Sequence, residues 1–249
     1  MEPLVKSRMR FFIPRYRRRR DILDKELPGP RDVTEPEGYV PSEEDFAPSP
    51  PKAPRPMTRF PKNEAMRPAL LCFLAFWAAS LYQWSPRGIY DLAASGEEVF
   101  RNGEYWRLLT ALFTHSDVEH LLSNSPLFLI FGWFLYAFFG RLAFPLGALV
   151  VGILSNLWTI YLYDPKVSLL GASGMLYGMI ALWLVLYVRF ETEYSVSMRI
   201  FRSVGVAMLL LFPTTFQQTT SYTAHATGFL VGLVVGVALI PGVRLNPDP

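Results

Sequence analysis

The sequence predicts an all-α, polytopic membrane protein of six transmembrane helices behind a long polar tail. Three observations predict it. Just over half of the 249 residues are hydrophobic (51%) and 15% are aromatic, which is high for a water-soluble domain. All six tryptophans lie beyond residue 66, whereas more than half of the prolines and acids lie before it. The apolar body then breaks into six segments at or near the ~17–25 residues that a helix needs to cross a bilayer. The net charge of +3 averages a basic patch, an acidic patch and a nearly uncharged body, so alone it excludes little.

Residues 1–66 open with "KSRMRFFIPRYRRRR", turn acidic at "EEDFAP" and end Pro-rich at "SPPKAPRP". Such a segment buries too little apolar surface to offset its ordering entropy, so it is expected to be a disordered cytoplasmic tail. No apolar h-region follows the basic start, so a secretory signal is not expected. The Arg-rich start has a faint transit-peptide character, and arginines beside Phe11 and Phe12 could touch anionic lipid head groups. A solvated basic stretch is the simpler reading. The lone cysteine, Cys72, excludes an intramolecular disulfide and a cysteine metal cluster. No cofactor, metal or nucleic-acid partner is expected.

The membrane domain is expected over 67–242, with spans at 68–84, 120–139, 142–163, 168–190, 200–216 and 223–240 and a short cytoplasmic tail at 243–249. The first and fifth spans are the shortest. Between the first two, "YWRLLTALFTH" has its own helical periodicity and is expected to lie partly in the membrane interface. If the spans alternate, the basic tail, Arg141, Arg189, Arg199, Arg202 and Arg244 share one side. Only Arg87, Arg101, Arg107 and Lys166 fall on the other. The positive-inside rule therefore places both termini in the cytoplasm.

On that topology the second, fourth and sixth spans run from outside to inside. His120 and Asn124 open the second, and His225 sits just inside the sixth. Ser173, about six residues past Val167, is expected roughly 9 Å into the fourth. Polar groups thus converge at one depth, and ionisable groups within spans mark a functional site by default. Gly174 and Gly178 on the fourth span, and Gly228, Gly232 and Gly236 on the sixth, recur every fourth residue. That spacing lets two helix backbones approach closely in lipid, bringing Ser173 and His225 to one level.

The chemistry such a pair allows is nucleophilic acyl transfer, with the imidazole taking the hydroxyl proton. Backbone N–H groups at the helix start suit an oxyanion, and His120 and Asn124, four apart, could add two donors. No Asp or Glu lies in the second, fourth or sixth span, so a Ser–His dyad is indicated rather than a triad.

These residues carry a resemblance. "GASG" at 171–174 resembles the GxSG motif of the rhomboid intramembrane serine proteases. "AHATG" at 224–228 is similar to their AHxxG motif, "HLLSN" at 120–124 to their HxxxN motif, and "EYWR" at 104–107 to their ExWR element. Tyr177 stands where the family places an aromatic on the catalytic imidazole, and His115, five before His120, also fits. The resemblance implies a rhomboid-like six-helix bundle and a protease that cuts other membrane proteins in or near their transmembrane segments. It implies Ser173 as nucleophile, His225 as base, and His120 and Asn124 in the oxyanion hole, supported by Gly171, Gly174 and Tyr177. Implied partners are single-span membrane proteins and the bilayer. The loop 217–222 is the expected lid, with the fifth span as the other candidate gate. Two readings of other classes stay open: a non-catalytic relative that escorts membrane clients, and a transporter with His120 and His225 as a proton relay.

Overall fold

The computed structural model describes Met57 and residues 60–86, 91–211 and 221–249. The basic tail over 1–56, Arg87 and most of the expected lid, residues 217–220, lie outside the described residues.

Among the described residues the fold is helical, with α1 Arg67–Trp84, α2 Arg107–Thr110, α3 Val118–Phe139, α4 Ala148–Leu162, α5 Ser173–Phe190, α6 Val196–Leu211 and α7 Tyr222–Leu239. Each boundary has a local cause. Pro68 occupies the first turn of α1, where its missing N–H costs nothing. The Asp117 side chain accepts from the His120 N–H at 2.8 Å and starts α3. Gly140, at φ 71°, ends α3 in a conformation that L side chains rarely adopt. Ser221 caps α7 by accepting from the Ala224 N–H.

Two expected helices start later than their apolar runs. Residues 168–172 are not helical, so Ser173 is the first residue of α5 rather than a position 9 Å inside it. Leu169 is committed to an antiparallel bridge with Ala94 in the first loop, and Gly171 has φ 110°. Neither can continue a right-handed helix. The third expected span begins with a separate turn at Leu142–Gly147, because Phe144 is extended ahead of Pro145. The described part of the expected tail, residues 60–66, forms a turn at Asn63–Met66 held against the C-terminus. Lys62 donates to the Pro249 carbonyl and pairs with Asp248, and Trp133 donates to the Lys62 carbonyl. The C-terminal segment docks too, with the Asn246 N–H and side chain on the Phe138 and Ala137 carbonyls.

α5 is the axis of the bundle. Met175, Met179, Ile180 and Leu182 are fully or almost fully buried, among α3, α4 and α7. Trp183 seals the far end against Phe134, Phe138 and Phe139 of α3, with ring centroids 5.4–5.8 Å apart. The other end carries the polar residues. Among the described residues five helical segments are long and apolar enough to cross a membrane; α6, the fifth expected span, is described over sixteen residues.

Candidate active site

Ser173 opens α5, so its N–H and those of the next residues belong to the first turn, which has no intrahelical acceptors. The loop before it is held by its own amides. The Gly171 N–H donates to the Ala111 carbonyl at 2.8 Å, and the Ala172 N–H reaches Nε2 of His115 at 3.4 Å.

α7 brings His225 to this turn through backbone contact. A Cβ on Gly228 or Gly232 would overlap the carbonyl of Gly174 or Gly178, and one on Gly174 would lie 3.1 Å from the Ala224 carbonyl oxygen. With no side chains between them, α5 and α7 touch, and the His225 ring stacks on Tyr177, one helical turn below Ser173 (centroids 4.0 Å, 14° between planes). Tyr222 adds an edge contact at 6.1 Å. No hydrogen bond joins Ser173 to His225 among the described residues. A cavity of about 420 Å³ opens beside His225, lined by Tyr177, Tyr222, His225 and Phe229.

α3 supplies the third side. A Cβ on Gly171 would fall 2.6 Å from Cε1 and 2.9 Å from Nε2 of His120, so the imidazole lies flush against the backbone two residues before Ser173. One turn on, Asn124 is buried, and its Nδ2 has no hydrogen-bond acceptor. A buried amide donor without a partner is costly unless it serves a transient one.

Sequence reasoning missed the supports. The Ser116 hydroxyl lies 2.7 Å from Oδ2 of Asp117 and 3.2 Å from Nδ1 of His120. A carboxylate only accepts, so the Ser116 proton goes to Asp117 and Ser116 accepts from Nδ1–H of His120. That fixes the His120 tautomer. The bond from Ser116 also holds the Asp117 carboxyl below its ordinary range. His115, fully buried, places Nδ1 3.3 Å from the Ser80 hydroxyl, and burial pushes its pKa down to about 4, helped by His120 and opposed by Asp117. Neutral His115 can keep Nε2 as the acceptor for Ala172. Ser155, Thr159 and Thr227 tie α4 to α7, with Thr159 and Thr227 hydroxyls 2.8 Å apart. Asn156 ties α4 to the first loop through the Leu108 carbonyl. Small buried hydroxyls in apolar runs could have signalled these ties, since each needs a partner in lipid.

The first loop is braced by Arg107, which pairs with Glu104, donates to the Asp91 and Ala93 carbonyls and lies over the Trp106 ring. The EYWR stretch is thus a scaffold. Tyr105, Trp106 and Leu109 remain exposed.

The family model described as the Rhomboid domain matches residues 102–242, more than half of the chain. The chain belongs to the rhomboid family. With five long apolar helices among its described residues, this rhomboid protein is an integral, multi-pass membrane protein. It is similar to the rhomboid protein YdcA of Bacillus subtilis (28% identical over 69% of this chain and 83% of the relative). It is also similar to rhomboid-like protease 3 of Toxoplasma gondii (27% over 62% of this chain and 59% of the relative). A third relative is RHOMBOID-like protein 5 of Arabidopsis thaliana (28% over 60% and 48%). This rhomboid chain therefore spans most of the bacterial relative but about half of the other two.

Proposed function

We propose that the protein is an intramembrane serine endopeptidase with a Ser173–His225 dyad, acting on transmembrane segments of other membrane proteins. The observation that carries this reading is the convergence on one helical turn. His225 is stacked on Tyr177 below Ser173, and His120 is pressed against Gly171 above it.

In this mechanism the Ser173 hydroxyl oxygen attacks the scissile carbonyl carbon while its proton passes to His225. The resulting oxyanion accepts from the Ser173 N–H, the unpartnered Nδ2 of Asn124, and His120. Because Nδ1 of His120 is committed to Ser116, Nε2 donates only when the ring is cationic, with Asp117 behind it to balance the charge. Collapse breaks the C–N bond, and the leaving amine takes the proton from His225. Water then attacks the acyl ester, giving its proton to His225, which returns it to Ser173 as the new carboxylic acid leaves. Peptide bonds inside a helix are shielded, so segments with small or helix-breaking residues near the cut are the favoured substrates. Residues 67–242 form the catalytic membrane domain and 1–66 a cytoplasmic tail. Both chain ends are cytoplasmic, as the Lys and Arg distribution favours, so the site opens on the outer face.

The test is labelling of the purified full chain with a fluorophosphonate probe, alongside cleavage of a single-span reporter in proteoliposomes. Wild type is expected to label and cleave, and Ser173→Ala and His225→Ala to do neither while keeping the wild-type melting profile. Reporter binding by wild type without labelling or cleavage would instead identify a client-binding protein.

A further inference from the structure

A second cavity lies at the opposite end of the bundle. It is a groove of about 650 Å³ between α5, α6 and α7, and its two ends differ in chemistry. The rim at the C-terminus of α5 holds Arg189 and Arg199. From there it runs along α7 between Ile240 and Phe229, roughly 16 Å of helix, over apolar walls including Leu184, Val204 and Leu233.

The polar groups at the rim are unfinished. One terminal nitrogen of Arg199 closes the end of α5 by donating to the Val188 and Glu191 carbonyls, but its Nε, buried, has no acceptor. The Ser203 hydroxyl, one turn further along α6, is also without a partner, and the residue is only 8% exposed. Arg189 lies over the face of Phe190, and no ion pair among the described residues involves either arginine. Buried donors that lack acceptors, beside two arginines that pair with no carboxylate among the described residues, call for an anion carrying several oxygens. The apolar length of the groove calls for a hydrocarbon chain attached to it. A basic pocket between transmembrane helices at one membrane surface has the chemistry for an anionic phospholipid head group.

We propose that this groove binds one anionic glycerophospholipid, with its phosphate on Arg199 and Arg189, Ser203 donating to the head-group oxygens, and an acyl chain lying between α6 and α7 as far as Phe229. Phe229 also lines the cavity beside His225, so the end of the chain reaches the wall of the candidate active site. The lipid occupies the space between α6 and the rest of the bundle and sets how closely α6 packs. This inference does not rest on the proteolytic reading and is tested without activity.

The experiment is native mass spectrometry of the detergent-purified full chain titrated with dioleoyl phosphatidylglycerol, dioleoyl phosphatidylcholine or inorganic phosphate. Wild type is expected to retain one phosphatidylglycerol in preference to phosphatidylcholine. Arg189→Gln and Arg199→Gln should each weaken phosphatidylglycerol by roughly fivefold and leave phosphatidylcholine unchanged. Ala207→Phe, which fills the apolar length, should weaken both lipids. Arg189 holds no backbone group, so its variant reads the site even if loss of the Arg199 cap prevents folding. Equal retention of the two lipids, or unchanged phosphatidylglycerol binding in Arg189→Gln, would overturn the proposal. So would full displacement of the lipid by inorganic phosphate, which would make the rim an anion site with no need of the chain.

Discussion

α6 and α7 both flank α5, and a glycine means opposite things in each. In α7, Gly228 and Gly232 have no room for a side chain, because the carbonyls of Gly174 and Gly178 stand where a Cβ would go. In α6, a Cβ on Gly205 would meet nothing within 4 Å. The rest of each helix agrees. α7 is tied to α4 by Thr227 as well as to α5, whereas α6 leaves Phe201 74% and Leu209 81% exposed and buries little besides Ser203. The bundle thus has a tight half, which fixes the relation of Ser173 to His225, and a loosely held helix beside a groove. Geometry held to a few tenths of an ångström belongs to the tight half, and a helix with thin packing is the one that opens most easily.

The largest effect that would break this contrast is at Gly228. Gly228→Val sets a branched side chain against the α5 backbone, which cannot give way, so a loss of roughly 3 kcal/mol of stability or more is expected, with loss of probe labelling. Gly205→Ala should do the reverse, adding up to about 1 kcal/mol, because it replaces a mid-helix glycine where space is open. Thermal unfolding in detergent measures both. Equal effects at the two sites would erase the distinction between the helices.

Next in size is Asn124→Ala. Its Nδ2 has no partner to lose, so the melting temperature should hold while kcat falls about 10²–10³-fold with little change in KM. A large stability loss at unchanged kcat would make Asn124 a packing residue.

The smallest effect is on pH. His115 is held at about 4, below the ordinary value of 6.5, so folding favours its neutral form. Its contribution to stability is complete above pH 6.5 and is lost as the pH falls towards 4. The loop before Ser173 should loosen over the same window, because protonated Nε2 no longer accepts from Ala172. Melting temperature against pH is expected to fall less steeply over that window in His115→Gln than in wild type. Parallel curves would remove His115 from the acid response.

Much of this was legible in the chain. Spacing alone put Gly174 and Gly178 opposite Gly228 and Gly232, and in lipid four-residue glycine repeats have few other uses. The helix starts were harder. Residues 168–172 are as apolar as a span interior, so hydropathy carries no mark of the bridge from Leu169 to Ala94 or of the φ of Gly171. The Ser116–Asp117 support of His120 was invisible for a different reason. Exposed polar residues before a helix look like a cap, and Asp117 is one; only the folded loop shows that Ser116 also reaches the imidazole.

The sequence by itself determined what must be buried in lipid: an apolar body cut into helices, with a serine, an asparagine and two histidines whose polarity demanded partners. Periodicity along one chain is a local property, so it survives without knowledge of neighbours. Tertiary structure alone decided which partners those were. Among the described residues it left Nδ2 of Asn124 without one, fixed the tautomer of His120, stacked His225 on Tyr177, and opened a groove at the far end with two arginines in no ion pair. Those outcomes depend on distances between helices far apart in sequence, which only packing sets.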